Sequence, residues 1–443
     1  MDERVVKNLI IGFGKAGKTL AADMAGHGET VMLVEESNTM YGGTCINVGC
    51  IPSKKLIVEG EKGQLTADKK EVFARAMALK EALIGKLRDV NYHKVADLEG
   101  VEVVDATASF VDSHRVRLIG KDGETLVKAD RIFINTGSSP NQLKIAGADS
   151  KRVYDSTGLL SLEERPDRLV IIGGGYISLE FAFMYQAFGS KVTILDAGDV
   201  FLPREDRDIA EEMLRVLTSK GIEVRQGART ERIEDHETAV TVVTNGGDIE
   251  AEAVLVAIGR HSNTARLQLD KAGVGMDNRG NIVTDEHLKA APHIWAMGDV
   301  AGHGQFTYLS LDDYRIVSSQ LFGDGSRTTL NRGAIPTSVF TDPTLSHIGL
   351  TETEARRQGL DITVRRLPAM AIPKAKVLGK TDGLLKEIVD NHTGEVLGTT
   401  LFCAESHELI NLFKVVIDHH IPASYVRNMI FTHPTMAEGL NDL

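Results

Sequence analysis

At 443 residues the chain is too long for one ordinary core, so two to four domains are expected. Hydrophobic residues at 42% and charged residues at 25% fit a globular protein in water, and the formal charge of −12 disfavours nucleic acids and anionic membranes as partners. No apolar run approaches the ~18 residues that span a bilayer, and the "LIIG" behind the charged start is too short for a signal-peptide core, so a cytoplasmic location is expected.

The first element read along the chain is a strand, "NLIIG", running into the glycine turn Gly12-x-Gly14-x-x-Gly17 and then a helix. Gly12 permits the sharp turn, Gly14 lets the backbone approach a pyrophosphate at the helix N-terminus, and Gly17 allows close helix–strand packing. The next strand, "TVMLVE", ends at Glu35, eighteen residues after Gly17 and near the offset of a carboxylate that binds a ribose diol. The plain alternative is a βαβ turn with no ligand. The strands on both sides and the placed acid favour a dinucleotide.

"GGTCINVGCIPSK", residues 42–54, holds two of the three cysteines. So few cysteines do not make a secreted disulfide framework. A regular helix would set the Cα atoms of Cys45 and Cys50 roughly 8 to 9 Å apart, beyond the ~7 Å a disulfide tolerates. The segment must therefore be distorted when oxidised, and Pro52, Gly42, Gly43 and Gly49 supply the means. A small bent loop is a poor staple, and no second Cys/His pair of suitable spacing stands nearby to make a zinc site. A helix N-terminus at this point would lower a thiol pKa and favour the thiolate. The pair reads as an electron carrier. Cys403, in an apolar stretch, reads as a buried core thiol.

The nucleotide pattern returns at "RLVIIGGGYISLEFAFMYQAFGSKVTILDAGD" as Gly173-x-Gly175-x-x-Ser178, with a strand ending at Asp196. Ser178 is small enough for the third position. Asp196 can accept hydrogen bonds from a free 2′-hydroxyl, whereas a 2′-phosphate would want an arginine, and the nearest, Arg204, is eight positions on. NADH is favoured over NADPH. Two dinucleotide turns and a redox-spaced cysteine pair point to a flavoprotein fed by a nicotinamide.

Residues 42–54 resemble the redox-active segment of the pyridine nucleotide–disulfide oxidoreductases, the group of dihydrolipoamide dehydrogenase, glutathione reductase and mercuric reductase. "NTGSSP" (135–140) and "AIGRHSN" (257–263) resemble that family's two glycine-containing strand ends. "IWAMGDV" (294–300) resembles its second flavin motif, "PTSVFTDPTLSHIGLTETEA" (336–355) the opening of its dimerisation domain, and "THPTMAEGL" (432–440) its catalytic end.

The resemblance implies an α/β fold with two Rossmann-like dinucleotide-binding domains and a C-terminal α+β dimerisation domain. The expected boundaries are 1–150 and 265–332 for the two parts of the FAD domain, 151–264 for the NAD(P) domain and 333–443 for dimerisation. It implies Cys45 as the interchange thiol and Cys50 as the thiol beside the flavin. Lys54 and Glu180 become a pair at the flavin, and His433 and Glu438 an acid–base dyad that serves the partner subunit of a homodimer. FAD contacts fall on Gly12, Gly14, Gly17, Glu35, Gly43, Thr44, Thr136, Gly137, Gly298 and Asp299. Nicotinamide contacts fall on Gly173, Gly175, Ser178, Asp196, Gly259 and Arg260. No resident metal is expected.

"YDSTGLL" (154–160), "FLPREDRDIA" (201–210) and "FTYLSLDDYRIV" (306–317) look like the bacterial reactive-chlorine-resistance flavoproteins, linked to reduction of hypothiocyanous acid and of copper(II). That subgroup implies hypothiocyanous acid reduction as the activity. A dihydrolipoamide dehydrogenase, a copper(II) or mercury(II) reductase and a non-enzymatic flavin redox sensor remain alternatives.

Overall fold

A computed structural model describes residues 3–443. The chain divides into two compact units, each discontinuous in sequence. One holds residues up to Lys55, Met77–Asn141 and Gly259–Arg332, and the other holds Leu56–Ala76, Gln142–Ile258 and Gly333–Leu443.

In the first unit, β1 (Glu3–Ile11) turns into α1 (Lys15–Gly26) and then β2 (Val31–Glu35). The short α2 (Thr44–Asn47) follows, then α3 (Cys50–Lys62) and the long α4 (Lys69–Ala96), of which Leu56–Lys62 and Lys69–Ala76 are counted with the second unit, and then β3 (Val101–Phe110), β4 (Arg115–Gly120) and β5 (Gly123–Ile134). β1 pairs in parallel with β2 and β5, β2 with β3, and β5 with Ile294–Ala296, while β4 runs antiparallel to β3 and β5. Strands buried on both faces are continuous apolar runs, and Leu9, Ile10, Ile132 and Phe133 are fully buried here. Leu9 and Ile132 pack into one cluster with Ile294 and Val300; Ile10 and Phe133 pack into another with Leu20, Ala21 and Ile316.

The second unit repeats the wound pattern. Its parallel sheet runs Glu223–Gln226, Lys191–Asp196, Arg168–Ile172, Ala253–Val256, Val153–Tyr154. The helix Tyr176–Ala187 joins its two central strands. The same unit carries a five-stranded antiparallel sheet built from Thr337–Val339, Leu345–Gly349, Val396–Phe402, Leu384–Asp390 and Ile362–Pro368. The helix Ser406–Asp418 packs on it through Ile410, Phe413 and Val416. This is the α/β architecture with two dinucleotide-type sheets and a C-terminal α+β portion that the sequence implied.

Candidate active site

The first glycine turn is closed by its own chain. Gly12 has φ +108°, and a Cβ there would lie 2.2 Å from the Asn135 carbonyl oxygen. A Cβ on Gly14 would meet Asn135 Oδ1 at 2.5 Å, and one on Gly17 would meet the Gly12 carbonyl at 2.4 Å. Asn135 is the brace: its Oδ1 accepts from Gly17 N–H at 2.9 Å and its Nδ2 donates to the Met297 carbonyl at 2.7 Å. Glu35 ends β2 and accepts backbone N–H groups from Phe13, Glu36 and Ser37. Burial raises its pKa while those three donors oppose the rise.

Thr136 is tied to Asn263 by two hydrogen bonds of 2.9 Å, one from its hydroxyl to the Asn263 carbonyl. Gly137 follows in the left-handed region. Asp299 Oδ2 accepts from Ser138 Oγ at 2.6 Å and is raised by burial. Gly298 donates its N–H to Asp313 Oδ2 at 2.7 Å, and Asp313 in turn holds Arg332 at 2.8 Å.

The cysteine segment is broken where a disulfide requires it. α2 ends at Asn47 and α3 begins at Cys50, with Val48 and Gly49 between them. Gly43, at φ +85°, opens α2, and a Cβ there would sit 2.8 Å from the Gly14 Cα, so the loop lies directly against the first turn. Thr44 is the first residue of α2. Asn47 fixes the loop through the Tyr41 and Gly43 carbonyls, and Arg88 Nε donates to Asn47 Oδ1 at 2.8 Å.

The two thiols are close enough to hydrogen-bond to each other, Cys45 partly buried and Cys50 exposed. Cys50 Sγ also lies 3.8 Å from Thr307 Oγ1, at the start of the helix Thr307–Phe322. The Cys45 pKa is pushed up, first by its hydrogen bond to Cys50, then by burial and by the charge of Cys50; the Thr307 hydroxyl and the Lys18 charge act against the rise. Cys50, not Cys45, stands at the first position of the longer helix α3, where a helix N-terminus would act on a thiol. α2 has four residues, too few to build a useful dipole, and burial beside a second sulfur outweighs it.

The second turn differs in its surroundings. Gly173 repeats the Gly12 constraint at φ +117°, with a Cβ 2.4 Å from the Ala257 carbonyl. A Cβ on Gly175 would meet nothing within 4 Å. Ser178 is fully buried and its hydroxyl has no hydrogen-bond partner among the described residues. Asp196 ends its strand as expected, and its Oδ1 accepts the Gly198 N–H at 3.0 Å. Arg204 is exposed. Glu180 lies on the helix after this turn and accepts the Phe340 N–H at 2.9 Å, while Lys54 lies on α3 in the first unit.

Gly259 and Arg260 belong to the first unit, not to the sheet that ends in Asp196. Arg260–Ser262 pairs with Ser138–Pro140, and the Arg260 guanidinium donates to Ser138 Oγ at 3.0 Å and to the Ser138 carbonyl at 2.6 Å. Its charge acts on Asp299. A strand pairing between residues ~120 apart in sequence gives no local signal, so this place of Arg260 was not legible in the sequence.

His433 Nδ1 lies 2.6 Å from Glu438 Oε2, so the carboxylate takes the Nδ1–H and leaves Nε2 free to exchange protons. The imidazole is 70% exposed and the carboxylate 18%. Thr435 N–H steadies Glu438 Oε1 at 3.4 Å. Cys403 is fully buried and burial pushes its thiol up to about 12, as a core residue should be. No group of three or more His, Cys, Asp or Glu side chains among the described residues could hold a metal.

Sequence reasoning missed Lys18, Asn135, Thr307 and Asp313. Lys18 did leave a signal, a lysine one turn before Ala21 on the buried face of α1. The other three depend on contacts between distant segments.

The protein-family model described as pyridine nucleotide-disulphide oxidoreductase matches residues 6–315, and that of the family's dimerisation domain matches residues 335–443. The RclA protein of Escherichia coli, described as a probable pyridine nucleotide-disulfide oxidoreductase, is 48% identical over 437 residues, 98% of each chain. A dihydrolipoyl dehydrogenase of Bacillus subtilis is 31% identical, covering 98% of this chain and 96% of its own. The solved structure of a Cu(II) complex of HOCl-induced flavoprotein disulfide reductase RclA from E. coli superposes with a TM-score of 0.95 at 47% identity, covering 100% of this chain and 99% of that one.

The family implies FAD and a pyridine nucleotide, and the residues present fit both. Gly175 is glycine although no atom of the described residues crowds it, which leaves a phosphate room to approach the helix N-terminus. Glu35 and Asp299, both partly buried, offer carboxylate oxygens of the kind that a nucleotide's hydroxyls need as acceptors. No helix among the described residues is long and apolar enough to cross a membrane. Two wound sheets, a broken dithiol segment and a histidine–glutamate pair, matched along the chain by both family models, make this protein a member of the pyridine nucleotide–disulphide oxidoreductase family.

Proposed function

We propose that this protein is an FAD-dependent NAD(P)H oxidoreductase that reduces hypothiocyanous acid to thiocyanate and water, acting in the cytoplasm as a defence against reactive chlorine and sulfur electrophiles. The observation that carries the reading is the Cys45–Cys50 dithiol set across the break between α2 and α3. It is supported by full-length similarity to a reductase described as HOCl-induced. A small sulfur electrophile can be attacked by one thiolate without an extended recognition surface.

Cys45 Sγ attacks the sulfur of hypothiocyanous acid, the S–O bond breaks, and the hydroxide leaves as water with a proton from the medium or from His433. Cys50 then attacks Cys45 Sγ, the bond to the thiocyanate sulfur breaks, and thiocyanate departs as the Cys45–Cys50 disulfide forms. The dithiol has lost two electrons, and bound FAD supplies their replacement from the nicotinamide. Because Cys45 holds its proton, removing it is part of the work, and His433 with its Nδ1 fixed by Glu438 is the base we assign. Its high exposure suits a group that serves the partner subunit's thiols in a homodimer, as does the full exposure of nearby Ile430. Lys54 and Glu180 are assigned to the flavin's edge. NADH is the preferred nicotinamide, because Asp196 ends the second fingerprint while Arg204 is exposed.

A second reading, reduction of copper(II), is favoured by the Cu(II) present in the solved relative. Copper would enter as substrate. The test is NADH oxidation with hypothiocyanous acid, copper(II), oxidised lipoamide and oxidised glutathione supplied separately. Fastest turnover with hypothiocyanous acid is expected; fastest turnover with copper(II) replaces the first reading with the second, and a preference for lipoamide overturns both.

A further inference from the structure

Lys18 stands on α1, one residue past the first glycine fingerprint, with only 8% of its surface exposed. Its Nζ donates to the Gly42 carbonyl at 3.1 Å and to Asn91 Oδ1 at 2.6 Å. Neither acceptor is charged. A buried ammonium that meets only neutral acceptors is costly, and an apolar side chain of similar volume would pack here at lower cost. Gly42 is the residue at which the cysteine loop begins, three positions before Cys45.

We propose that Lys18 is a positioning residue for the thiol chemistry: its buried ammonium anchors the Cys45 loop through Gly42 and, while protonated, favours the anionic form of the Cys45 sulfur. The inference rests on Cys45 being the thiol that meets the oxidant. The charges that act on Lys18 come from three elements. Lys15 on α1 and Lys94 on α4 oppose its protonation, and an anionic Cys45 on the loop favours it. Burial, the largest influence, brings Lys18 to about 8, so it is mostly charged at neutral pH. The influence is reciprocal, since the Thr307 hydroxyl and the Lys18 charge both lower Cys45 against the rise imposed by Cys50 and burial.

The experiment is alkylation of Cys45 by iodoacetamide as a function of pH, in FAD-loaded protein carrying Cys50→Ser so that one active-site thiol remains. Cys403 is fully buried and does not compete. An opposite charge close by is worth roughly 1 to 3 pH units. Lys18→Met should raise the midpoint of Cys45 alkylation by about one unit, read below both midpoints as ~10-fold slower labelling, while Lys18→Arg should hold it near the parent value. Lys18→Gln, which keeps a donor for Gly42, repeats the test should the methionine variant lose its flavin. If neither variant retains flavin, the parent curve decides: two steps, the upper near the Lys18 value, support the coupling, and a single step overturns it.

Unchanged midpoints in flavin-loaded Lys18→Met or Lys18→Gln overturn the proposal. A weakened affinity for FAD with an unchanged midpoint overturns it in a specific way, by assigning the ammonium to the cofactor's pyrophosphate. Failure of the underlying reading looks different, because Cys45 would then not be oxidised by hypothiocyanous acid in the Cys50→Ser parent, whatever stands at position 18.

Discussion

The two glycine turns share a motif and differ in what surrounds them. Around Gly12, Gly14 and Gly17 every position is crowded by the chain itself, with Asn135 and the Gly43 end of the cysteine loop pressed against the turn. Around Gly175 there is open space, and the small residue behind it, Ser178, is buried with an unpaired hydroxyl. The acids differ likewise. Glu35 is held by three backbone N–H groups, and Asp196 by one to Gly198. A turn braced on all sides suits a nucleotide that stays bound through many turnovers. An open turn suits one that enters and leaves in each cycle.

The largest effect should come from crowding the braced turn. Gly12→Ala places a methyl 2.2 Å from a backbone oxygen at a positive φ, so the variant should purify without flavin absorbance or fail to fold. Gly175→Ala should leave flavin content and melting temperature unchanged and raise the KM for nicotinamide about 10-fold, as loss of a close backbone approach would. If Gly175→Ala loses flavin instead, the assignment of the two turns is reversed.

A smaller effect is expected at the acids. Asp196→Ala should narrow the kcat/KM preference for NADH over NADPH by roughly 5- to 10-fold, the worth of one to two hydrogen bonds. An NADPH preference in the parent protein would contradict the role given to Asp196. The smallest effect belongs to Ser178→Ala, which removes a buried hydroxyl that makes no bond. Thermal unfolding should show a change of under about 1 kcal/mol, in the stabilising direction. A loss of several degrees would mean that the hydroxyl has a partner in the working protein.

How much of this could be read from the sequence follows from the range of each signal. The two βαβ turns were legible because glycine spacing, strand and acid fall within thirty-odd residues, and β2 and Lys191–Asp196 end on the acids read from sequence. The break between Cys45 and Cys50 was legible too, since disulfide geometry forbids an unbroken helix. His433 and Glu438, read only through the family motif, do meet at 2.6 Å. What could not be read depends on distant partners. Arg260 joins Ser138 through a ladder between remote strands, Asn135 ties the first turn to Met297, and Thr307 reaches Cys50 from a helix that starts 257 residues later. The rise in the Cys45 pKa comes from a neighbouring sulfur and from burial, neither of which a local helix rule contains.

The account's central claim is that the oxidant is reduced by the thiols and not directly by flavin. The direct measurement is a Cys45→Ser variant followed two ways: NADH-driven hypothiocyanous acid consumption in the steady state, and flavin reduction by NADH in a stopped-flow instrument. Loss of consumption with flavin reduction within about twofold of the parent rate is the predicted result, since Cys45 takes no part in the nicotinamide half of the cycle. Consumption at near the parent rate in Cys45→Ser would contradict the thiol mechanism.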